Sequence, residues 1–151
     1  MLNTNLIKEI IMRLAICKQG GWRLTPLFYK TFYAKQGIDC YCYQRRSSGD
    51  DSYKYESNEY TKYLYYYEID KGDIVKWEDI EKMPRLSEFK EEWRYNTLFM
   101  ETLKELGDSA YADGVEIRIV EINNAEYEIE NSGNNIYSPY YYEVINVKYY
   151  V

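Results

Sequence analysis

Tyrosine supplies 20 of the 151 residues in this chain, and that decides what kind of interior it can build. The apolar class makes up 46% of the sequence, an ordinary share for a globular domain, but it counts tyrosine as core stock. Tyrosine must therefore do much of the burying. It is a large flat hydrophobe with one hydroxyl that wants a partner, so it suits half-buried sheet faces and contact rims better than a dry centre. Its β-propensity also argues against disorder in the biased segments.

Two segments concentrate it. Tyr63, Tyr65, Tyr66 and Tyr67 lie in one strand-like stretch, and Tyr140, Tyr141, Tyr142, Tyr149 and Tyr150 in another. Successive strand residues point to opposite faces, so a run of three places rings on both sides of a sheet. The expectation is that helices cover one side and leave tyrosine rings exposed on the other. Exposed tyrosine offers large contact area at low rotamer cost. Tyr63, Tyr65, Tyr67, Tyr140, Tyr141 and Tyr142 are accordingly the expected partner-binding residues.

Periodicity sketches the elements. Leu6, Ile7, Ile10, Ile11 and Leu14 follow one helical stripe, giving a helix over about Asn5–Lys18 that stops at Gly20-Gly21. Thr25 as N-cap and Pro26 at the first helical position start a second helix, which Gly37 ends. The short link between them implies a helical hairpin. Ile38–Arg45 alternates, with Tyr41 and Tyr43 on one face and Cys40 and Cys42 on the other. Residues 47–59 read as a long connection, and Tyr60–Asp70 as a strand joined by a turn at 70–73 to Ile74–Trp77. A helical turn covers Glu78–Met83. The longest helix is expected over Ser87–Leu106, with Asn96 as a polar residue in its apolar stripe. Val115–Ile122, Tyr127–Glu130 and Tyr140–Val151 complete a β-rich end. The expected architecture is a single α+β domain over 1–151. Its mainly antiparallel sheet has about five strands, with an N-terminal helical hairpin and one long central helix packed on one face.

Composition excludes several chemistries. The chain has no histidine, so it lacks the commonest general base and metal ligand, and Ser-His-Asp and Cys-His catalysis are out of reach. Its three cysteines fall one short of a closed four-thiolate zinc site and read as small buried hydrophobes in a reducing, cytoplasmic setting. No phosphate-binding glycine loop is present. No apolar run is long enough to span a membrane, and the charged N-terminus does not read as a signal peptide. No cofactor and no metal are expected. The weak catalytic candidates are Asp113, Glu116 and Arg118, a minimal set for a Mg-dependent nuclease; the plainer reading is an exposed strand face with a same-side ion pair. The balance points away from an enzyme.

Charge is divided along the chain. Residues 1–46 carry eight basic and two acidic side chains, a net +6, and the other 105 residues carry 11 and 23, a net −12. The aromatic strands lie mainly in the acidic part. Single-stranded nucleic acid stacks on aromatics but needs a basic groove, so it ranks second as a partner. The favoured expectation is a non-enzymatic protein-binding module whose acidic, tyrosine-dotted surface docks a basic protein, carboxylates standing where phosphates would sit. A small acidic chain of biased composition points to a virus or mobile element. In that setting it would inhibit a host nucleic-acid-handling defence complex in the host cytoplasm. A homodimer and a self-assembling virion component are the competing structural readings.

Overall fold

The computed structural model describes residues 11–45, 51–123 and 125–150. In chain order its elements are β1 (Ile11–Gln19), α1 (Pro26–Ala34), β2 (Tyr41–Arg45), β3 (Asp51–Lys54), β4 (Leu64–Tyr67), β5 (Ile74–Lys76), α2 (Trp77–Ile80), α3 (Thr97–Leu106), β6 (Glu116–Asn123), β7 (Ala125–Asn131) and β8 (Glu143–Tyr150). Short 3-10 turns at Glu91–Tyr95 and Gly107–Ala110 flank α3. The described strands form three small antiparallel sheets: β1 with β6, β4-β2-β3-β5, and β7 with β8.

The four-stranded sheet has two differently covered faces. Directly opposed residues share a face in an antiparallel pair, and Tyr41 opposes Tyr67 while Tyr43 opposes Tyr65. These four rings therefore line one side, and Cys42, Leu64 and Tyr66 the other. The second side meets the main core, built from Phe28, Tyr29 and Phe32 of α1, Phe99 and Leu103 of α3, and Trp22, Phe89 and Tyr141 from connecting segments. Trp22 stacks on Phe89 with centroids 3.7 Å apart and planes 5° from parallel. Such pairs add about 0.5–1.5 kcal/mol beyond the area they bury. The tyrosine side is not bare. Tyr43, Tyr67 and Ile80 are fully buried there in a smaller core, with Trp77 and Met83 packed against them. The Tyr43 hydroxyl donates to the Gly72 carbonyl and accepts from the Lys71 amide, each at 2.9 Å, so a core ring holds the 70–73 turn in place.

The expected architecture is overturned in three places. First, the described residues form no N-terminal helical hairpin. Residues 11–18 are β1, and the expected helix's residues 5–10 lie outside the described residues. Leu14, Ala15, Ile16 and Cys17 are all buried. A strand covered on both faces loses its alternation, and its continuous apolar run coincides with a helical stripe. Secondly, among the described residues there is no five-stranded sheet: β1 and β6 pair with each other, β3 arises inside the segment expected to be a connection, and β4 and β5 pair with β2 and β3 rather than together. Thirdly, the central helix begins at Thr97. Asn96 is its N-cap, accepting from the Phe99 amide at 2.9 Å. With the following 3-10 turn the helical stretch spans 97–110. The expected start and stop of α1 are found: Thr25 Oγ1 accepts from the Phe28 amide at 3.2 Å and Gly37 has φ +74°.

Candidate functional site

A buried ion pair fixes the frame on which the candidate site stands. Arg94 and Glu143 are each at most 2% exposed. Arg94 Nη1 and Nη2 reach Glu143 Oε1 and Oε2 at 3.0 and 2.8 Å. Nη1 also donates to the Ala15 carbonyl, while Nε and Nη2 grip Glu91. All five guanidinium donors are used. Glu143 further accepts from the Cys17 amide at 2.9 Å, the Trp22 indole at 3.2 Å and the Tyr141 hydroxyl at 2.7 Å. Burial alone would raise the Glu143 carboxyl pKa; the bonds from Arg94, Cys17 and Tyr141 outweigh it and hold it below the usual carboxylate value. Every partner position is filled, so this network is a staple between β1, the 91–95 turn and β8. Neither residue was singled out by the sequence: a pair 49 residues apart has no spacing signature.

The staple and its neighbours bring the two tyrosine-rich segments together. Trp22 N–H donates to the Ile136 carbonyl at 2.7 Å and Gly21 N–H to the Tyr141 carbonyl at 3.1 Å. The Tyr137 hydroxyl donates to the Phe89 carbonyl at 3.2 Å. This docks the 132–142 loop beside the 60–66 segment. Between them opens a cleft of about 390 Å³ lined by Tyr60, Lys62, Tyr63, Tyr65, Tyr137 and Glu88, with Trp22, Leu24, Tyr29 and Tyr66 among its deeper residues. Tyr63, at its rim, is 57% exposed and has φ +63°, a left-handed conformation that costs a bulky residue roughly 1–2 kcal/mol. Sparsely populated backbone of this kind clusters at binding sites.

Charge at the cleft is mixed: Glu88 and Lys62 both line it, Arg85 acts on the Glu88 carboxylate, and the Arg23 guanidinium lies 5.6 Å from the centroid of the Tyr60 ring. Among the described residues, no hydrogen bond or ion pair is made by the Glu88 carboxylate. It reaches solvent at the mouth, yet the protein mass around it raises its pKa by desolvation, against the opposing pull of Arg85. The phenols of Tyr29, Tyr60, Tyr66 and Tyr137 are raised as well, by desolvation first, with the charge of Glu88 adding to it. Tyr137 is pushed up to about 12. These phenols stay neutral at pH 7, which suits ring contacts and not nucleophilic chemistry.

The expected partner-binding tyrosines divide. Tyr140 is 87% exposed, and Tyr63 and Tyr142 are exposed. Tyr65 is half-buried, its ring 5.3 Å from that of Trp77. Tyr67 is inside the smaller core, and Tyr141 is turned inward onto Glu143. Tyr149 and Tyr150 lie in β8. On the tyrosine side of the four-stranded sheet, Arg45 stands 4.1 Å over the Trp77 ring and Arg85 4.3 Å over the Tyr65 ring. A cation–aromatic patch thus occupies the face expected to be bare.

The weak catalytic candidates do not converge. Glu116 and Arg118 form an ion pair at 2.5 Å on the exposed side of β6. Asp113 lies in the turn before it, its backbone carbonyl accepting from Arg23. Among the described residues no group of three His, Cys, Asp or Glu could hold a metal ion, and no helix is long and apolar enough to cross a membrane. The thiols of Cys17, Cys40 and Cys42 are free and pushed up to about 12 by burial. At pH 8 their thiolate fraction is therefore about a thousandfold below that of an ordinary cysteine. Iodoacetamide labelling followed by mass spectrometry is expected to leave all three unmodified in the native protein and to label all three rapidly in guanidinium.

Comparison of the chain with protein-family models, with curated proteins and with solved structures finds no match in any of the three.

Proposed function

We propose that this protein is a non-enzymatic binding module that docks a basic partner protein through the surface where its two tyrosine-rich segments meet. The observation that carries the reading is the convergence of Tyr63 and Tyr137, 74 positions apart in the sequence, on one cleft that also presents the unpaired Glu88 carboxylate. The net charge of −6 favours basic partners and speeds their encounter. A nucleic-acid-handling complex is the partner class that fits: acidic groups take the place of phosphates and tyrosine rings that of bases. The reading includes a cytoplasmic setting, for which the three free thiols speak.

The test is pull-down of a basic nucleic-acid-handling complex by wild type and by the double variant Tyr63→Ala, Tyr140→Ala. Both rings are exposed, so the fold should survive, whereas removing Tyr67 would hollow the smaller core. Loss of about thirtyfold or more in affinity is expected if these rings are hot spots. Equal recovery by both proteins would refute the reading.

A second reading, single-stranded nucleic-acid binding, rests on Arg45 and Arg85 above Trp77 and Tyr65. Stacked guanidinium and indole groups are the material of strand binding. A gel-shift assay at two salt concentrations decides it: binding that weakens steeply with salt, and is lost in Arg45→Ala, Arg85→Ala, would favour nucleic acid over protein.

A further inference from the structure

We infer that the stacked residues Arg45, Trp77, Tyr65 and Arg85 form a phosphate clamp that grips the backbone of a single nucleic-acid strand and leaves its bases unread. The clamp lies apart from the tyrosine cleft. It rests on the second reading above and names the part of the strand that is held.

Three segments of the fold assemble it. Arg45 of β2 and Tyr65 of β4 share one face of the four-stranded sheet, because Tyr43 opposes Tyr65 and lies two residues from Arg45. Trp77 opens α2 and packs on that face, its ring 5.3 Å from that of Tyr65. Arg85 arrives beside them because its backbone bridges to Tyr67, two residues along from Tyr65. The guanidinium carbons of Arg45 and Arg85 stand 4.1 and 5.6 Å from the centroid of the same indole ring, so they lie within about 10 Å of each other. Neighbouring phosphates of one strand can reach both.

Two observations select phosphate over base. Each ring already carries a guanidinium, Arg45 over Trp77 and Arg85 over Tyr65 at 4.3 Å. Both rings are also half-buried, so little ring face is left on which a base could stack. What stays open is the edge of each guanidinium. Stacking uses its flat face, while its N–H donors lie in the plane as a fork that matches two phosphate oxygens. The second observation is charge left unmatched. Among the described residues neither Arg45 nor Arg85 forms an ion pair, although the chain holds 25 acidic side chains. Lys54, on the same face opposite Tyr43, is by contrast taken up by Asp70 at 2.6 Å. Arg85 acts on the Glu88 carboxylate without pairing to it.

The experiment titrates the full chain, by fluorescence anisotropy, with labelled oligothymidylate and with an abasic strand of the same backbone and length. The two strands are expected to bind within about twofold of each other, because a single base stacked on either ring would make the abasic strand at least about fivefold weaker. Two gripped phosphates should weaken binding about sevenfold between 50 and 200 mM salt. Arg45→Ala with Arg85→Ala is expected to lose about tenfold or more in affinity and most of that salt dependence, with an unchanged unfolding midpoint showing that the fold is intact. Thymidylate binding with the abasic strand fivefold or more weaker overturns the clamp and leaves the nucleic-acid reading standing. Wild-type binding that is indifferent to salt overturns the clamp without need of any variant. Failure of both strands to bind at 50 mM salt, or undiminished binding by the folded double variant, overturns the clamp and that reading together.

Discussion

Glu143→Ala is expected to destabilise the protein by about 3–5 kcal/mol, the usual cost of leaving one member of a buried pair without its partner. Arg94 would remain 1% exposed with its charge uncompensated on that side, held only by the more exposed Glu91 and the Ala15 carbonyl. The Cys17 amide, Trp22 indole and Tyr141 hydroxyl would lose their acceptor as well. Against a total stability of roughly 5–15 kcal/mol this is a large fraction, visible as a lower guanidinium midpoint. Replacing both charges, as Arg94→Met with Glu143→Leu, is expected to recover only the part of the loss due to the unpaired guanidinium, because the Cys17, Trp22 and Tyr141 donors still lack their acceptor. A double variant as unstable as the single one would refute the account. The pH dependence has a definite sign. Glu143 titrates below the usual carboxylate value in the folded state, so its contribution is fully present above the unfolded value of about 4.3. It is lost as the pH falls through the folded value. Glu143→Gln should lack this part of the acid-induced fall in stability.

The second large effect is expected at Gly21. Its φ is +75°, and a Cβ there would fall on the Ser138 carbonyl oxygen and lie 2.9 Å from that of Ile136. Both are backbone atoms of the docked 132–142 loop, so relief requires moving the loop. Gly21→Ala should cost about 2–4 kcal/mol, combining left-handed strain with displaced backbone. Gly37→Ala is the control. Its φ is nearly the same, +74°, but nothing lies within 4 Å of the added carbon, so only about 1 kcal/mol of strain is expected. Equal costs at the two glycines would show that the close approach carries no energy. The loop holds Tyr137, so Gly21→Ala should also weaken capture of the partner protein in pull-down while Gly37→Ala leaves it unchanged.

How far the sequence could be read follows from which signals are local. The helix α1 was legible because Thr25, Pro26 and Gly37 act within one turn of their own positions. The facing of Tyr41 and Tyr43 against Cys42 was legible because alternation is a property of a single strand. β1 was misread because its apolar run is buried on both sides, and the neighbours that bury it come from distant segments. The start of α3 was misread because Asn96 continues an apolar stripe upstream while its side chain caps the turn downstream. At the site, Tyr63, Tyr140 and Tyr142 are exposed, while Tyr67 and Tyr141 have burial roles set by Ile80 and Glu143. Nothing around Glu88 in the sequence marks it, since three neighbouring acids, Glu91, Glu92 and Glu88 itself, read equally well as favouring a helix start.

The order in which the staple's parts leave the ribosome has its own consequence. β1 emerges first, carrying four consecutive apolar residues, but its hydrogen-bonding partner is made about a hundred residues later and the carboxylate that binds its Cys17 amide later still. Through most of synthesis an apolar strand stands without its ladder, a template for wrong pairings. Yield in the cell should therefore respond to holdase chaperones and to translation speed more than the finished protein's stability alone would suggest.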